Sequence, residues 1–163
     1  MAAVIETDVL IVGAGPAGAA TALFLAKKNI SSVVVDKAFF PRDKICGDAI
    51  SGKVVEVLNK LDKNFAHELN CNEKFIGSWG VTFVAPNNES LRVPFSTKKE
   101  AGIAPGFISK RIDFDNWLVQ KIKLNRLVQL LEQTEIRNYR MEKDFVVAET
   151  TDGKVFHSKL VVA

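Results

Sequence analysis

Two cysteines, two histidines and one tyrosine are all the chain has of these types in 163 residues. Cys46 and Cys71 stand apart and lack metal-ligand spacing, so neither a disulfide framework nor a zinc site is expected, and a reduced, cytoplasmic setting is the default. His67 and His157 are isolated, and neither is read as a metal ligand or an acid–base group. No run of about 18 apolar residues occurs, so no membrane-crossing helix is expected. The apolar stretch near the N-terminus has no basic segment before it and is broken by Gly-Ala-Gly-Pro-Ala-Gly at 13–18, which does not fit a signal peptide. Excess charge of one sign is missing too. The net charge is +3, no basic run carries interleaved aromatics, and no nucleic-acid partner is expected. Internal repeats and low-complexity linkers are absent. With 47% hydrophobic residues the chain can build one core and part of a second lobe.

What is present starts at residue 9. Residues 9–12 are a short β-branched run bounded by Gly13, which reads as a strand buried on both faces of a parallel sheet. Gly13, Gly15 and Gly18 follow in G-x-G-x-x-G spacing. The first allows a tight turn, the second lets backbone approach a pyrophosphate, and the third lets helix pack closely on strand. Pro16 suits a first helical turn, and the unbonded N–H groups of that turn favour phosphate oxygens. The helix runs on through Ala20, Leu23 and Ala26 to Lys27 and Lys28, with Asn29 as a left-handed stop. Residues 32–35 form the second strand. Asp36 ends it, 18 residues beyond Gly18, where an acid hydrogen-bonds a ribose hydroxyl and repels a 2′-phosphate. Strand, glycines, helix, strand and acid follow in order within residues 8–36, which points to an adenine dinucleotide. The glycine pattern alone leaves FAD and NAD both open.

Residues 37–48 are too punctuated for a regular element. Beyond Ser51, helical spacing places Val54, Val55, Leu58 and Leu61 on one side. From Phe75 the pattern turns to strands, with 81–84 and 91–95 flanking a hairpin at 85–90. Trp79 and Phe83 alternate at strand spacing and are expected to pack in a sheet, with a substrate cavity as the alternative. Asp113 is placed as the N-cap of a helix whose core face is Phe114, Trp117, Leu118 and Ile122. Strands are expected at 128–131, 134–136, 145–149 and 155–156, with a turn at Asp152-Gly153, and an apolar strand at 159–163. A buried strand seldom closes a domain, so the chain is expected to be the N-terminal part of a longer protein. The fold class is α/β: a Rossmann-like sheet starting with βαβ, plus a partial insertion of a mixed β substrate domain around 75–107.

Residues 41–51, Pro-Arg-Asp-Lys-Ile-Cys-Gly-Asp-Ala-Ile-Ser, together with the glycine turn and Asp36, strongly resemble the geranylgeranyl reductase family. Those flavoproteins share the FAD-binding fold of aromatic-hydroxylase-type monooxygenases. Residues 111–115, Arg-Ile-Asp-Phe-Asp, are similar to that family's second FAD-contacting region. The resemblance spans the chain but only about the first half of a typical member, and the later Asp-Gly and Gly-Asp motifs of the family are not in these residues.

The resemblance implies FAD, with its pyrophosphate on the turn formed by Gly13, Gly15, Pro16, Ala17 and Gly18 and its adenosine ribose on Asp36, beside Lys37. Cys46, Gly47 and Ala49 would line the loop near the flavin, Arg111 would contact the phosphate or ribityl region, and Ile136 would offer backbone to the adenine. Arg42 and Lys44 either neutralise phosphate, of the cofactor or of a nicotinamide nucleotide, or form a solvated basic loop. Cys46 is otherwise a small buried hydrophobe. The implied activity is reduction of prenyl-chain carbon–carbon double bonds by hydride from reduced flavin, with NAD(P)H as a possible electron donor. The substrate would be a prenyl or other hydrophobic small molecule, which allows contact with a membrane surface. A flavin monooxygenase or halogenase, and a non-catalytic dinucleotide-binding fragment, are the alternatives. No catalytic residue is named, and the oligomeric state is left open.

Overall fold

A computed structural model describes residues 4–95 and 102–163. In chain order the elements are β1 (Val4–Val12), α1 (Pro16–Lys27), β2 (Ser32–Val35), β3 (Ala49–Ile50), α2 (Gly52–Leu61), α3 (Phe65–Cys71), β4 (Ile76–Ser78) and β5 (Gly80–Val84). They continue with β6 (Ser90–Pro94), β7 (Gly106–Ile108), α4 (Arg111–Lys123), β8 (Val128–Leu131), β9 (Ile136–Met141), β10 (Val146–Thr150) and β11 (Val155–Val162). The segments up to Lys44 and from Ile112 form one compact unit, and Ile45–Arg111 forms a second.

The first unit is built on a six-stranded sheet of order β8-β2-β1-β11-β10-β9. Its first four strands are parallel, and β10 and β9 are added antiparallel. Every residue of β2 is buried, as an unbroken β-branched run inside a parallel sheet requires. Leu10, Val33, Val35, Ala148 and Phe156 form its core cluster. Helix α1 buries only alanines, Ala19, Ala22 and Ala26, so its backbone lies close to the strands, and Asn29 stops it at φ 60°. Helix α4 buries Phe114, Leu118 and Ile122 at intervals of four, with Trp117 half-buried and stacked on Phe114. The strand order and the βαβ start make the unit Rossmann-like.

Several elements depart from their sequence-based bounds. β1 starts five residues early because its polar half pairs with β11, Val4 opposite Val155 and Thr7 opposite Ser158. The two apolar pieces expected at 155–156 and 159–163 are one strand, β11, lying between β1 and β10. β9 covers 136–141 rather than 134–136: an edge strand with almost every residue exposed carries no apolar alternation. α4 begins at Arg111, so Asp113 lies inside its first turn and is not its cap. α3 went unpredicted.

In the second unit, β3 and β4 flank β7 in an antiparallel sheet, and α2 packs against α3. The β5–β6 hairpin forms as expected, but all ten of its strand residues are exposed. Trp79 and Phe83, expected to pack in a sheet, are 50% and 58% exposed. No helix among the described residues is long and apolar enough to cross a membrane.

Candidate cofactor-binding cleft

Where β1 and β2 end, the first unit opens into a cleft of about 530 Å³, within the ~300–1,000 Å³ usual for small-molecule sites. It is built from three segments. Val12 and Gly13 enter from β1, Val35 ends β2 and residues 36–38 and 42–44 follow it, and Thr134, Glu135 and Ile136 precede or begin β9.

The glycine turn has the geometry its sequence implies. Gly13 takes φ 105°, a conformation only glycine adopts without strain, and its N–H donates to the Val35 carbonyl at 2.8 Å. A Cβ on Gly18 would fall on the Gly13 carbonyl oxygen, so the third glycine is what lets α1 close on β1. Gly15 is the N-cap of α1 and makes no side-chain capping bond. Ala19 N–H donates to the Gly15 carbonyl, Pro16 has no N–H, and the N–H groups of Ala17 and Gly18 are left without an intrahelical acceptor.

Asp36 is 8% exposed, which excludes a solvated strand end as the reason for its acid. One carboxylate oxygen accepts from Ala14 N–H at 2.7 Å and the other from Ala38 N–H at 2.8 Å. Its own carbonyl accepts from Thr134 N–H at 2.8 Å. A single side chain therefore ties the glycine turn to the loop after β2. Each oxygen keeps one lone-pair site for a ribose hydroxyl.

Arg42 is not part of a solvated basic loop. Its side chain is 21% exposed, and Nη1 donates at 2.9 Å to Asp115 on α4, whose carboxylate is completely buried. The guanidinium lies 5.0 Å above the Phe40 ring, and Nη2 stands 3.3 Å from where a Gly15 Cβ would be. The cation is thus held over the N-cap of α1, where the helix dipole already favours an anion. Lys37 lines the same cleft, exposed and 4.0 Å from Glu135. Ile136 lines it as the first residue of β9, half-buried.

The cleft and its turn thus gather Gly13, Gly15, Pro16, Ala17, Gly18, Asp36, Lys37, Arg42 and Ile136 within the first unit. Cys46, Gly47, Ala49 and Arg111 belong to the second unit. There Ala49 pairs with Ile108 on β7, and Cys46 is exposed rather than buried. The Cys46 thiol is more acidic than usual, chiefly through its hydrogen bond with Arg111 and then through backbone N–H at Asp48. Sequence reasoning missed Asp115, Ala38, Thr134 and Glu135. The Asp-Phe-Asp string at 113–115 was the only signal for Asp115, and it does not say which acid is buried.

The chain matches the model of the FAD binding domain over residues 6–163. Among curated proteins it is similar to the menaquinone reductase of Mycolicibacterium smegmatis, 52% identical over 56 residues, covering 34% of this chain and 14% of that protein. It is also similar to digeranylgeranylglycerophospholipid reductase 2 of Methanosphaera stadtmanae, 28% identical over 98% of this chain and 39% of that one. Its fold is like that of p-nitrophenol 4-monooxygenase of Pseudomonas putida, with TM-score 0.80 and 18% identity over 97% of this chain and 40% of that one. The chain thus spans well under two thirds of the relatives it matches. The glycine turn, the buried acid and the cation over the helix N-cap fit the adenosine diphosphate half of FAD. With a match across nearly its whole length, the chain belongs to the FAD binding domain family, and its cofactor is FAD.

Proposed function

We propose that this chain is the cofactor-binding part of an FAD-dependent oxidoreductase of the geranylgeranyl reductase type, acting on carbon–carbon double bonds of a prenyl lipid. One observation carries the FAD-binding role: the α1 N-cap, the Arg42 guanidinium and the Asp36 carboxylate meet at one cleft. The N–H groups of Ala17 and Gly18, with Arg42, receive the pyrophosphate. Asp36 receives the ribose, Lys37 flanks it, and backbone at Ile136 borders the adenine. Cys46, Gly47, Ala49 and Arg111 serve the flavin side. Bound FAD supplies the redox chemistry, with NAD(P)H as electron donor, and the chain supplies binding and orientation.

The prenyl substrate is supported by residues 41–51 and by the likeness to the digeranylgeranylglycerophospholipid reductase. A flavin monooxygenase shares the fold and differs in needing oxygen. The test is anaerobic turnover by the polypeptide carrying this chain, loaded with FAD, with NADPH and a geranylgeranyl lipid. Saturation of the prenyl chain without oxygen is the expected result. Consumption of NADPH only when oxygen is admitted, with the double bonds intact, would place the protein with the monooxygenases.

A further inference from the structure

Asp115 is a completely buried carboxylate on α4 that does not itself line the cleft. Its partner Arg42 comes from a loop 73 residues away in sequence. A guanidinium has five N–H donors in a rigid fork. Among the described residues Arg42 makes one hydrogen bond, to Asp115, so the rest of the fork is open while Nη2 stands over Gly15. The Phe40 ring beneath it, itself buried, limits the plane the fork can take. A carboxylate in this place fixes one edge of the fork and leaves the other facing the N-cap of α1.

We infer that Asp115 is a positioning residue for a nucleoside diphosphate: it orients Arg42 so that the guanidinium and the α1 N-terminus grip the diphosphate together. This rests on the reading of the cleft as the seat of FAD's adenosine diphosphate. Charge alone makes the opposite prediction. Asp115 neutralises Arg42, so removing its charge would strengthen an anion's binding if only net charge mattered. If orientation matters more, the same change weakens it. The sign of the effect separates the two.

The experiment is calorimetric titration of adenosine and of ADP into the chain, for the wild type, Asp115→Asn, and the double variant Arg42→Met/Asp115→Asn. The double variant removes both charges and so leaves no buried carboxylate unpaired, which guards against a loss of fold. In Asp115→Asn the preference for ADP over adenosine should fall about tenfold, the worth of one charge-assisted hydrogen bond. In the double variant it should fall at least as far. Adenosine itself should bind equally in all three. An unchanged or larger ADP preference in Asp115→Asn overturns the positioning role alone, as does an equal weakening of both ligands. A wild-type chain that binds ADP no better than adenosine overturns both that role and the reading of the cleft.

Discussion

Gly18 sits where the third glycine of the turn meets the first, and a side chain there has nowhere to go. The atom it would strike is backbone, the Gly13 carbonyl, so relief requires moving α1 away from β1. Gly18→Ala should lower stability by about 1–3 kcal/mol, the usual cost of overpacking, and should weaken FAD binding as well. Urea unfolding and FAD titration check both. Asp36→Ala removes the acceptor of two backbone N–H groups, each worth about 1–3 kcal/mol when left unsatisfied and buried. That variant should lose stability even without ligand, because the acid holds the turn and the loop together. Arg42→Met takes a cationic partner from the buried Asp115 carboxylate and should lower stability. Adding Asp115→Asn should recover part of that loss. Cys46 offers a separate readout in the second unit. Its lowered pKa gives more thiolate at neutral pH, so it should alkylate faster than Cys71, and Arg111→Gln should move its rate profile to higher pH. Mass spectrometry of iodoacetamide-treated protein measures both thiols in one sample.

Among the elements, the exposed β5–β6 hairpin and helix α2 make opposite kinds of prediction. Val81, Phe83, Leu91 and Val93 alternate with polar residues and pair across the strands, yet all are exposed. Phe83→Thr with Leu91→Thr should therefore change the unfolding free energy by no more than about 0.5 kcal/mol. A loss of several kcal/mol would mean that the face is covered. On α2, Glu56 is held between Lys60 and Lys53 at 2.8 and 2.9 Å, which lowers its pKa from 4.5 to about 2. A depressed carboxylate pKa stabilises the fold above the unfolded value and stops doing so as pH falls through the folded one. The urea midpoint should accordingly drop between pH 4.5 and about 2 in the wild type, and less so in Glu56→Gln.

Elements with a strong local pattern were legible in the sequence. The β2 run, the glycine turn, the Asn29 stop and the hairpin loop that follows Val84 needed no partner to be seen. β9 was not, because Arg-Asn-Tyr-Arg-Met on a sheet edge shows no alternation of burial. The early start of β1 was hidden as well, since Glu6 and Asp8 look like loop until β11 lies beside them. Asp115 was illegible for a different reason. It pairs with a residue 73 positions away, and no local spacing encodes that.

For the molecule as a whole, the first unit joins two distant stretches of chain, and the cleft is made from both: the glycine turn and the loop after β2 from one, Ile136 and its neighbours from the other. A ligand bound across them stabilises the whole unit by mass action, by about 2.7 kcal/mol at 100 times its Kd. FAD is expected to bind here through its adenosine diphosphate half. The most direct measurement is a fluorescence titration of FAD with the chain, followed by displacement with ADP. Binding should be saturable, and ADP should reverse it fully while riboflavin does not. FAD that fails to bind, or that riboflavin displaces while ADP does not, would contradict that expectation.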